Sequence, residues 1–205
     1  MSGPGPGRPR IVVVRHGETE WSRDGRHTGR TDVALTADGR RQAVLVGSRL
    51  RGRSFTVVLS SPLGRAAETA RLAGLGDRIE FDADLAEWDY GAYEGRTTAD
   101  IHGERPGWWL WTDGCPGGET AAGVAERADR VISRCLAAPG DSICVAHGHL
   151  LRVLAARWLG AAPELGSSLL LSTASVGVLG WEHDRPVVAR WNDTGHLDGA
   201  APLPA

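Results

Sequence analysis

The chain contains no lysine, so arginine supplies all 23 of its Lys and Arg side chains. The absence of lysine excludes a Walker-type phosphate loop, whose lysine contacts the nucleotide phosphates. It also excludes an enzyme that forms a Schiff base on a lysine amine. The net charge of −2 gives no general electrostatic reason to expect binding of nucleic acid or of an anionic membrane.

Cysteines and long apolar segments are also scarce. Cys115, Cys135 and Cys144 are an odd number without CxxC spacing, so we expect neither a disulfide framework nor a cysteine-rich zinc site. Cys144 lies in an apolar run and is expected in the core. The longest apolar runs have the length of strands and are too short to cross a membrane. The first ten residues lack the apolar segment of a secretory signal, which predicts a cytoplasmic protein.

The length of 205 residues suits one domain. We predict that it spans residues 10–197, between flexible tails at 1–9 and 198–205. Apolar strand-like runs alternate with helical patterns, which predicts a three-layer α/β/α sandwich with a mostly parallel sheet. The last two predicted strands, 176–181 and 186–191, flank a turn and are expected to form an antiparallel pair.

Helices are predicted from spacing and from the residues that begin and end them. They cover residues 36–51, 63–73, 119–136 and 150–159. Residues 85–118 are irregular in composition and hold four of the eight tryptophans. Trp108, Trp109 and Trp111 either wall a substrate entrance or, since Trp108 and Trp111 are three residues apart, pack as one helix face.

Three predicted strands end abruptly in polar residues. The strands cover residues 11–14, 55–59 and 142–146, and the polar side chains beyond them include Arg15, His16, Arg65 and His147. Ligands bind beyond the carboxyl ends of parallel strands. If these strands are parallel neighbours, two guanidiniums and two imidazoles converge, which suits a phosphoryl dianion held beside a nucleophile. A glycine after each histidine would let the backbone approach the ligand.

Motifs along most of the chain resemble those of the histidine phosphatase superfamily, which includes the cofactor-dependent phosphoglycerate mutases. They occupy residues 15–21, 27–36, 60–70, 85–95, 117–120 and 145–148, in the order found in that family. Within the superfamily, the sequence is most similar to small bacterial phosphatases, including actinobacterial acid phosphatases.

The resemblance implies a role for several side chains. His16 would be the phosphohistidine nucleophile, Glu87 would protonate the leaving oxygen, and Arg15, Arg65 and His147 would clamp the phosphoryl oxygens. The residues assigned to substrate binding are Ser22, Thr28, Gly29, Tyr90 and Gly148. No metal or other cofactor is implied, and the expected partner is a small-molecule phosphate ester; the oligomeric state stays open.

Two of these positions need comment. Ser22 stands where the family often has asparagine, so its contact with phosphate is either lost or mediated by water. Glu87 stands among Leu85, Trp88 and Tyr90, and partial burial there would favour the protonated carboxyl that a proton donor needs. The alternative for Glu87 is a surface carboxylate in a polar loop.

The remaining histidines are less informative. His149 has either a substrate-related role or a plain place at a helix N-terminus. The histidines without an evident partner, which we expect mostly at the surface, are His27, His102, His183 and His196.

Two other classes of protein compete with a phosphatase. A metalloenzyme could use His16, His147, His149 and a carboxylate from Glu18 or Glu87, although the neighbouring arginines would repel a cation. A non-catalytic phosphate-binding module could retain the fold without the chemistry.

Mutase-type phosphoryl transfer is a third alternative. The mutases of this family hold a second anionic group with a lysine shortly after the Glu-Gly region and with an arginine pair beyond it. Thr98 stands where the lysine is expected, and a tryptophan-rich stretch at 106–111 stands where the arginines are expected. Indoles in place of cations favour hydrolysis of an ester with a neutral or apolar leaving group.

Overall fold

The computed structural model describes residues 8–198, so most of the tails predicted at 1–9 and 198–205, namely residues 1–7 and 199–205, lies outside the described residues. Residues 8 and 9 contact the sheet. The guanidinium of Arg8 lies 4.4 Å from the ring centre of Trp181, whose indole N–H donates to the carbonyl of Pro9. None of the helices between residues 8 and 198 combines the length and apolar composition that spanning a membrane requires.

A six-stranded sheet forms the middle layer. Its strands are Ile11–Arg15 (β1), Val57–Ser60 (β2), Glu80–Phe81 (β3), Ser142–Ala146 (β4), Val176–Glu182 (β5) and Arg185–Asp193 (β6). They lie in the order β3-β2-β4-β1-β5-β6. The first four strands of this order are parallel, whereas β5 is antiparallel to both β1 and β6. The predicted mixed sheet with an antiparallel pair near the C-terminus is confirmed.

The register of the three central strands places their carboxyl ends side by side. Arg15 pairs with Ala146, and Ser60 pairs with Val145. The backbone N–H of His16 then donates to the carbonyl of Ala146 at 2.9 Å, just beyond the strand pair. The three strands are therefore parallel neighbours, which is the condition under which the polar side chains beyond them converge.

Helices cover both faces of the sheet. They are Glu20–Arg23 (α1), Ala37–Arg49 (α2), Gly64–Ala70 (α3), Thr98–Glu104 (α4), Leu110–Asp113 (α5), Ala121–Leu136 (α6) and Gly148–Trp158 (α7). Alternate side chains of β1 point to opposite faces. Ile11 and Val13 pack into one core with α6 and α7, while Val12 and Val14 pack into another with α2. The three layers agree with the prediction.

The helix predicted at 119–136 forms for the reasons read from its sequence. The Thr120 hydroxyl caps its first turn by accepting the N–H of Gly123. Buried positions recur with helical spacing at Val124, Ala128, Val131 and Cys135. Cys144 is buried as predicted, with its sulfur 3.8 Å from that of Cys135.

Helix boundaries differ from the predicted ones at three places. The helix predicted from residue 150 begins two residues earlier, directly after an extended His147. The helix predicted at 63–73 changes after Ala70 into a wider turn, Arg71–Leu75, in which Gly74 has a φ of 79°. A short helix begins only at Leu110, so Trp108 and Trp111 do not form one helix face. Their burial depends on contacts distant in the chain.

Candidate active site

A cavity of about 340 Å³ opens at the carboxyl ends of the central strands. Residues from β1, α7, the loop before Thr28, the segment around Glu87 and the tryptophan-rich stretch form its walls. The predicted site residues among its lining are Arg15, His16, Ser22, Thr28, Glu87, Tyr90 and Gly148. Arg65 and His147 are buried nearby but do not line the cavity, and Gly29 does not line it either.

His16 is buried with a defined orientation of its ring. Its Nδ1 lies 2.7 Å from the carbonyl oxygen of Gly17. A carbonyl can only accept, so Nδ1 carries the proton and Nε2 retains a lone pair. Burial, followed by the nearby guanidiniums of Arg15 and Arg65, holds the pKa of His16 well below its usual value. The imidazole is therefore neutral and has a free nucleophilic nitrogen.

Arg15, beside the imidazole of His16, has one hydrogen-bond donor that is not satisfied. Its Nη1 donates to the carbonyl of Leu171 at 2.6 Å, whereas its buried Nε has no hydrogen-bond partner among residues 8–198. The backbone of Gly148 lies against this guanidinium, since a Cβ at that position would be 3.4 Å from it. A buried charged donor without an acceptor is costly, and an anionic ligand would supply the acceptor.

Arg65 acts first as a brace. Its Nη1 donates to the carbonyl of Thr31 at 2.9 Å, and its Nη2 donates to those of Thr28 and Gly29 at 3.0 and 2.9 Å. Its Nε donates to Nδ1 of His147 at 3.2 Å. These bonds use four of its five N–H groups, so contact with a phosphoryl oxygen falls to the remaining one. The clamp role stays a prediction.

His147 lies against His16, with ring centroids 5.2 Å apart. Because its Nδ1 accepts from Arg65, its proton is on Nε2, which donates to the hydroxyl of Ser61 at 2.8 Å. Burial and then Arg65 hold the pKa of His147 well below its usual value. A bond from Nε2 to a phosphoryl oxygen would replace the bond to Ser61, a partner that the sequence analysis did not identify. The predicted contact of His147 with phosphate therefore requires Nε2 to exchange the Ser61 hydroxyl for a phosphoryl oxygen as its acceptor.

Glu87 is buried against the N-terminus of α7. Its carboxylate accepts the backbone N–H groups of Trp88, His149 and Leu150 at 2.9, 3.0 and 2.9 Å. Its burial agrees with the sequence-based expectation and excludes the alternative of a surface carboxylate. The three backbone donors, which the sequence did not indicate, fix the position of the carboxyl group in the cavity wall.

Tyr90 and His149 form a hydrogen-bonded pair in the cavity wall. The phenol oxygen lies 2.7 Å from Nδ1 of His149. Burial raises the pKa of Tyr90 well above its usual value and lowers that of His149 well below its own. The bond therefore joins a protonated phenol to a neutral imidazole. This arrangement places His149 in the cavity wall, as the alternative of a substrate-related role requires.

The other predicted substrate residues are partly committed to local bonds. The Ser22 hydroxyl donates to the carbonyl of Thr19 at 2.9 Å, within a helix cap, and the Thr28 hydroxyl donates to that of Arg26 at 3.1 Å. The N–H of Gly29 donates to Glu94 at 3.0 Å. Substrate contacts from these three residues would have to compete with these bonds and stay predictions.

The two glycines that follow the histidines have different reasons to be glycine. A Cβ on Gly17 would lie 2.3 Å from the carbonyl oxygen of Gly39, at the start of α2. Gly17 therefore permits close packing of a helix, and the expectation that it opens the backbone to the ligand is wrong. Gly148 does line the cavity, as expected.

Two histidines expected at the surface lie elsewhere. His27 lines the cavity, with its ring centre 4.8 Å from that of Tyr90 and 5.6 Å from that of Trp108. His196 is buried, and its Nε2 lies 3.0 Å from the carbonyl of Ala174. No local pattern distinguished these histidines, because each is placed by segments distant in the chain.

Arg152 is another cavity residue that the sequence analysis missed. Its position four residues after Gly148 was an available signal, since that spacing puts both on one helix face. Trp108 and Trp111 are buried in the core and also line the cavity, so the two interpretations of these tryptophans hold together. Trp109 lines the cavity with about half of its surface exposed (49%).

The histidines of the alternative metal site are only partly available as ligands. His147 has both ring nitrogens bonded, to Arg65 and Ser61, and Nδ1 of His149 is bonded to Tyr90, whereas Nε2 of His16 is free within residues 8–198. In the part of the chain that the structure describes, no group of three or more His, Cys, Asp or Glu side chains is arranged to hold a metal ion.

Comparison with known proteins gives one consistent relationship. The sequence model of the histidine phosphatase superfamily (branch 1) matches residues 11–194. An acid phosphatase of Mycobacterium tuberculosis is 44% identical over 191 residues, which are 91% of this chain and 94% of that protein. A sedoheptulose 1,7-bisphosphatase of Saccharomyces cerevisiae is 38% identical over 185 residues, 74% of this chain and 68% of that protein. The solved structure of an M. tuberculosis open reading frame is 43% identical, has a TM-score of 0.87 and aligns over 92% of this chain and 99% of its own. The chain belongs to branch 1 of the histidine phosphatase superfamily.

Proposed function

We propose that this protein is a metal-independent phosphomonoesterase that hydrolyses a small-molecule phosphate ester through a phosphohistidine on His16. The observation that carries the proposal is the neutral His16, with its Nδ1 proton bonded to Gly17 and its Nε2 unprotonated beside Arg15. The similarity to an acid phosphatase supports the same chemistry.

The first step is attack on phosphorus. The Nε2 lone pair of His16 forms the P–N bond while the P–O bond to the alcohol breaks, in line with the attack. The leaving oxygen takes a proton from Glu87, which lines the same cavity. The alcohol departs and leaves phosphohistidine and a Glu87 carboxylate, the form that its three N–H donors stabilise.

The second step is attack by water. The Glu87 carboxylate takes one proton from the water as its oxygen bonds to phosphorus and the P–N bond breaks. Phosphate leaves, His16 recovers its Nε2 lone pair, and Glu87 carries the proton for the next cycle. The same residue thus acts as acid and then as base.

Positive charge around the phosphoryl group stabilises both transition states. The unpartnered Nε of Arg15 is preorganised for a phosphoryl oxygen, and the brace formed by Arg65 keeps the 28–31 loop in place. Low exposure strengthens these interactions relative to those in water.

The test is phosphate release from a panel of phosphomonoesters with a chelator present. Wild-type protein is expected to turn over and to form an acid-labile, base-stable phosphoryl adduct. His16→Ala is expected to lose the adduct and at least about 10³-fold of kcat/KM, while still binding phosphate through the arginines. Retention of a tenth of the activity by the variant, or loss of wild-type activity in chelator, would overturn the mechanism.

A further inference from the structure

We propose that Arg152 forms a second anion-binding subsite in the same cavity, so that the enzyme prefers phosphomonoesters whose alcohol part carries a carboxylate. This inference rests on the proposed phosphatase function, because it concerns the leaving-group half of that site.

The guanidinium of Arg152 is held in place with one edge unused. Its Nε donates to the carbonyl of Gly166 at 2.8 Å, and its Nη2 donates to that of Ser167 at 2.8 Å. Its central carbon lies 4.8 Å from the ring centre of Trp111. Nη1 has no hydrogen-bond partner among residues 8–198, and the side chain lines the cavity. A fixed guanidinium with a free Nη1 is preorganised to bind an anion.

Arg152 differs in charge pairing from Arg49 and Arg127, which pair with Asp193 and Glu119. Among the described residues, no carboxylate forms an ion pair with Arg152. Arg15 and Arg65, the arginines of the proposed phosphoryl site, share this feature, since their partners are carbonyl groups and His147. Glu87 is the carboxylate whose charge acts on Arg152, but it lies beyond ion-pair distance and accepts three backbone N–H groups. A ligand anion at Nη1 would therefore relieve part of the cost of burying this cation.

The cavity as a whole has an excess of cations. Its lining carries Arg15, Arg26 and Arg152 against one carboxylate, that of Glu87, which already accepts three backbone N–H groups. His27 and His149 add no charge near neutral pH, since burial lowers the pKa of each. The comparison with the mutases did not consider the helix that carries Arg152, so the tryptophan-rich stretch is only one part of the wall around the leaving group.

The position of Arg152 sets the distance between the phosphate and the carboxylate of a bound substrate. Gly148, which lies against Arg15, is four residues earlier on α7, about 6 Å along the helix axis. Side chains on a helix lean towards its N-terminus, so the guanidinium of Arg152 approaches the phosphoryl end. Short acids with the phosphate two or three carbons from the carboxylate match this spacing.

A matched pair of substrates tests the subsite. 3-Phosphoglycerate and glycerol 3-phosphate share the same primary phosphate ester and differ in a carboxylate against a hydroxymethyl group. Wild-type protein is expected to favour 3-phosphoglycerate in kcat/KM by about tenfold or more, the value of one charged hydrogen bond. Arg152→Gln is expected to remove most of that ratio, with a much smaller loss on glycerol 3-phosphate.

Control variants separate recognition from structure. Arg157→Gln removes an arginine from the same helix that pairs with Asp129 and does not line the cavity, and it should keep the wild-type ratio. Equal loss on both substrates in Arg152→Gln would mean that Arg152 only anchors residues 166–167, which overturns the proposal. Loss of the preference in Arg26→Gln but not in Arg152→Gln would overturn it as well, since Arg26 lies at the exposed rim.

A binding measurement distinguishes failure of this proposal from failure of the proposed function. Calorimetry with His16→Ala protein is expected to show that 3-phosphoglycerate binds more tightly than glycerol 3-phosphate. Adding Arg152→Gln to this variant should weaken the binding of 3-phosphoglycerate about tenfold. Hydrolysis of both esters at equal rates removes the subsite but leaves the phosphatase assignment intact. No hydrolysis of any ester, together with Arg152-dependent binding, removes the phosphatase assignment and leaves the subsite.

Discussion

The backbone N–H of His149 donates a hydrogen bond to the carboxylate of Glu87 across 3.0 Å. This bond joins the proposed general acid to the first turn of α7, the helix that begins immediately after His147. The acid, the second histidine and Gly148 are thereby fixed relative to one another. The position of Glu87 consequently depends on backbone donors as well as on its own loop.

Replacing Glu87 with glutamine tests proton donation. Glu87→Gln is expected to lower kcat/KM for alkyl phosphates by about 10²- to 10⁴-fold and for nitrophenyl phosphate much less, because a good leaving group needs little protonation. The measurement is the ratio of the two rates in the same variant. Some loss of stability is expected, because the amide nitrogen of the glutamine would face a backbone N–H donor. The ratio of the two rates is insensitive to this loss, since both substrates are assayed with the same variant. Equal losses on both substrates would contradict the general-acid role.

Arg15 and Arg65 are expected to differ when each is replaced with methionine. Both variants should lose activity by about 10²-fold or more, since each removes positive charge from the phosphoryl site. Arg15→Met should stay within about 1 kcal/mol of wild-type stability, because it also removes a buried donor without a partner. Arg65→Met should lose about 2–4 kcal/mol, because it leaves three carbonyls and His147 unpaired.

Urea unfolding of the two variants at neutral pH measures this difference. Phosphate binding, measured by calorimetry, should weaken in both. A destabilisation of Arg15→Met equal to that of Arg65→Met would show that the two guanidiniums have the same structural role.

Stability is expected to fall as the pH decreases below 6.5. Burial lowers the pKa of His16, His147 and His149 well below 6.5 in the folded chain, so below that pH the unfolded chain binds protons that the folded chain does not. Each of these histidines removes up to about 1.4 kcal/mol per pH unit until its folded pKa is reached. Urea unfolding between pH 7.5 and 5.0 measures the slope.

Substitution of one cavity histidine should reduce this pH dependence. His149→Gln is expected to lower the slope by less than about a third, because it removes one of the three histidines whose pKa burial lowers well below 6.5. His27 and His196, whose pKa values burial also lowers, keep their contributions. His183→Asn is the control, because His183 is exposed and its positive φ of 51° suits asparagine. A stability that does not change between pH 7.5 and 5.0 would contradict the assignment of buried neutral imidazoles.

Hydrolysis is expected to exceed isomerisation on phosphoglycerate. Arg96 and Arg105, the cations nearest to the positions that a mutase would use, pair instead with Glu104 and Asp113 and do not line the cavity. The assay supplies 3-phosphoglycerate with bisphosphoglycerate primer and measures 2-phosphoglycerate and free phosphate together. Faster isomerisation than phosphate release would reassign the protein to phosphoryl transfer.

The mostly parallel sheet, its layers and the clustering of the central candidate residues could be predicted from the sequence. Buried strands such as Ile11–Arg15 and Ser142–Ala146 are continuous apolar runs, and the polar residue that follows each run marks its carboxyl end. Because parallel strands end at one edge, His16 and His147 could be placed together before any side-chain contact was known. The amphipathic α6 was predictable for the same reason, since its repeat is local.

Which other groups enter the cavity, and in what protonation state, depends on the tertiary structure. His27 reaches the cavity from a loop without a distinctive local pattern, whereas Arg152 lies on the same helix face as Gly148, and its entry into the cavity is seen only in the fold. Two of the three donors to Glu87 come from residues more than sixty positions away, and the position of the proton on His16 follows from a single carbonyl contact. Protonation and hydrogen bonding depend on burial and on neighbours brought together by folding, and neither follows from local periodicity.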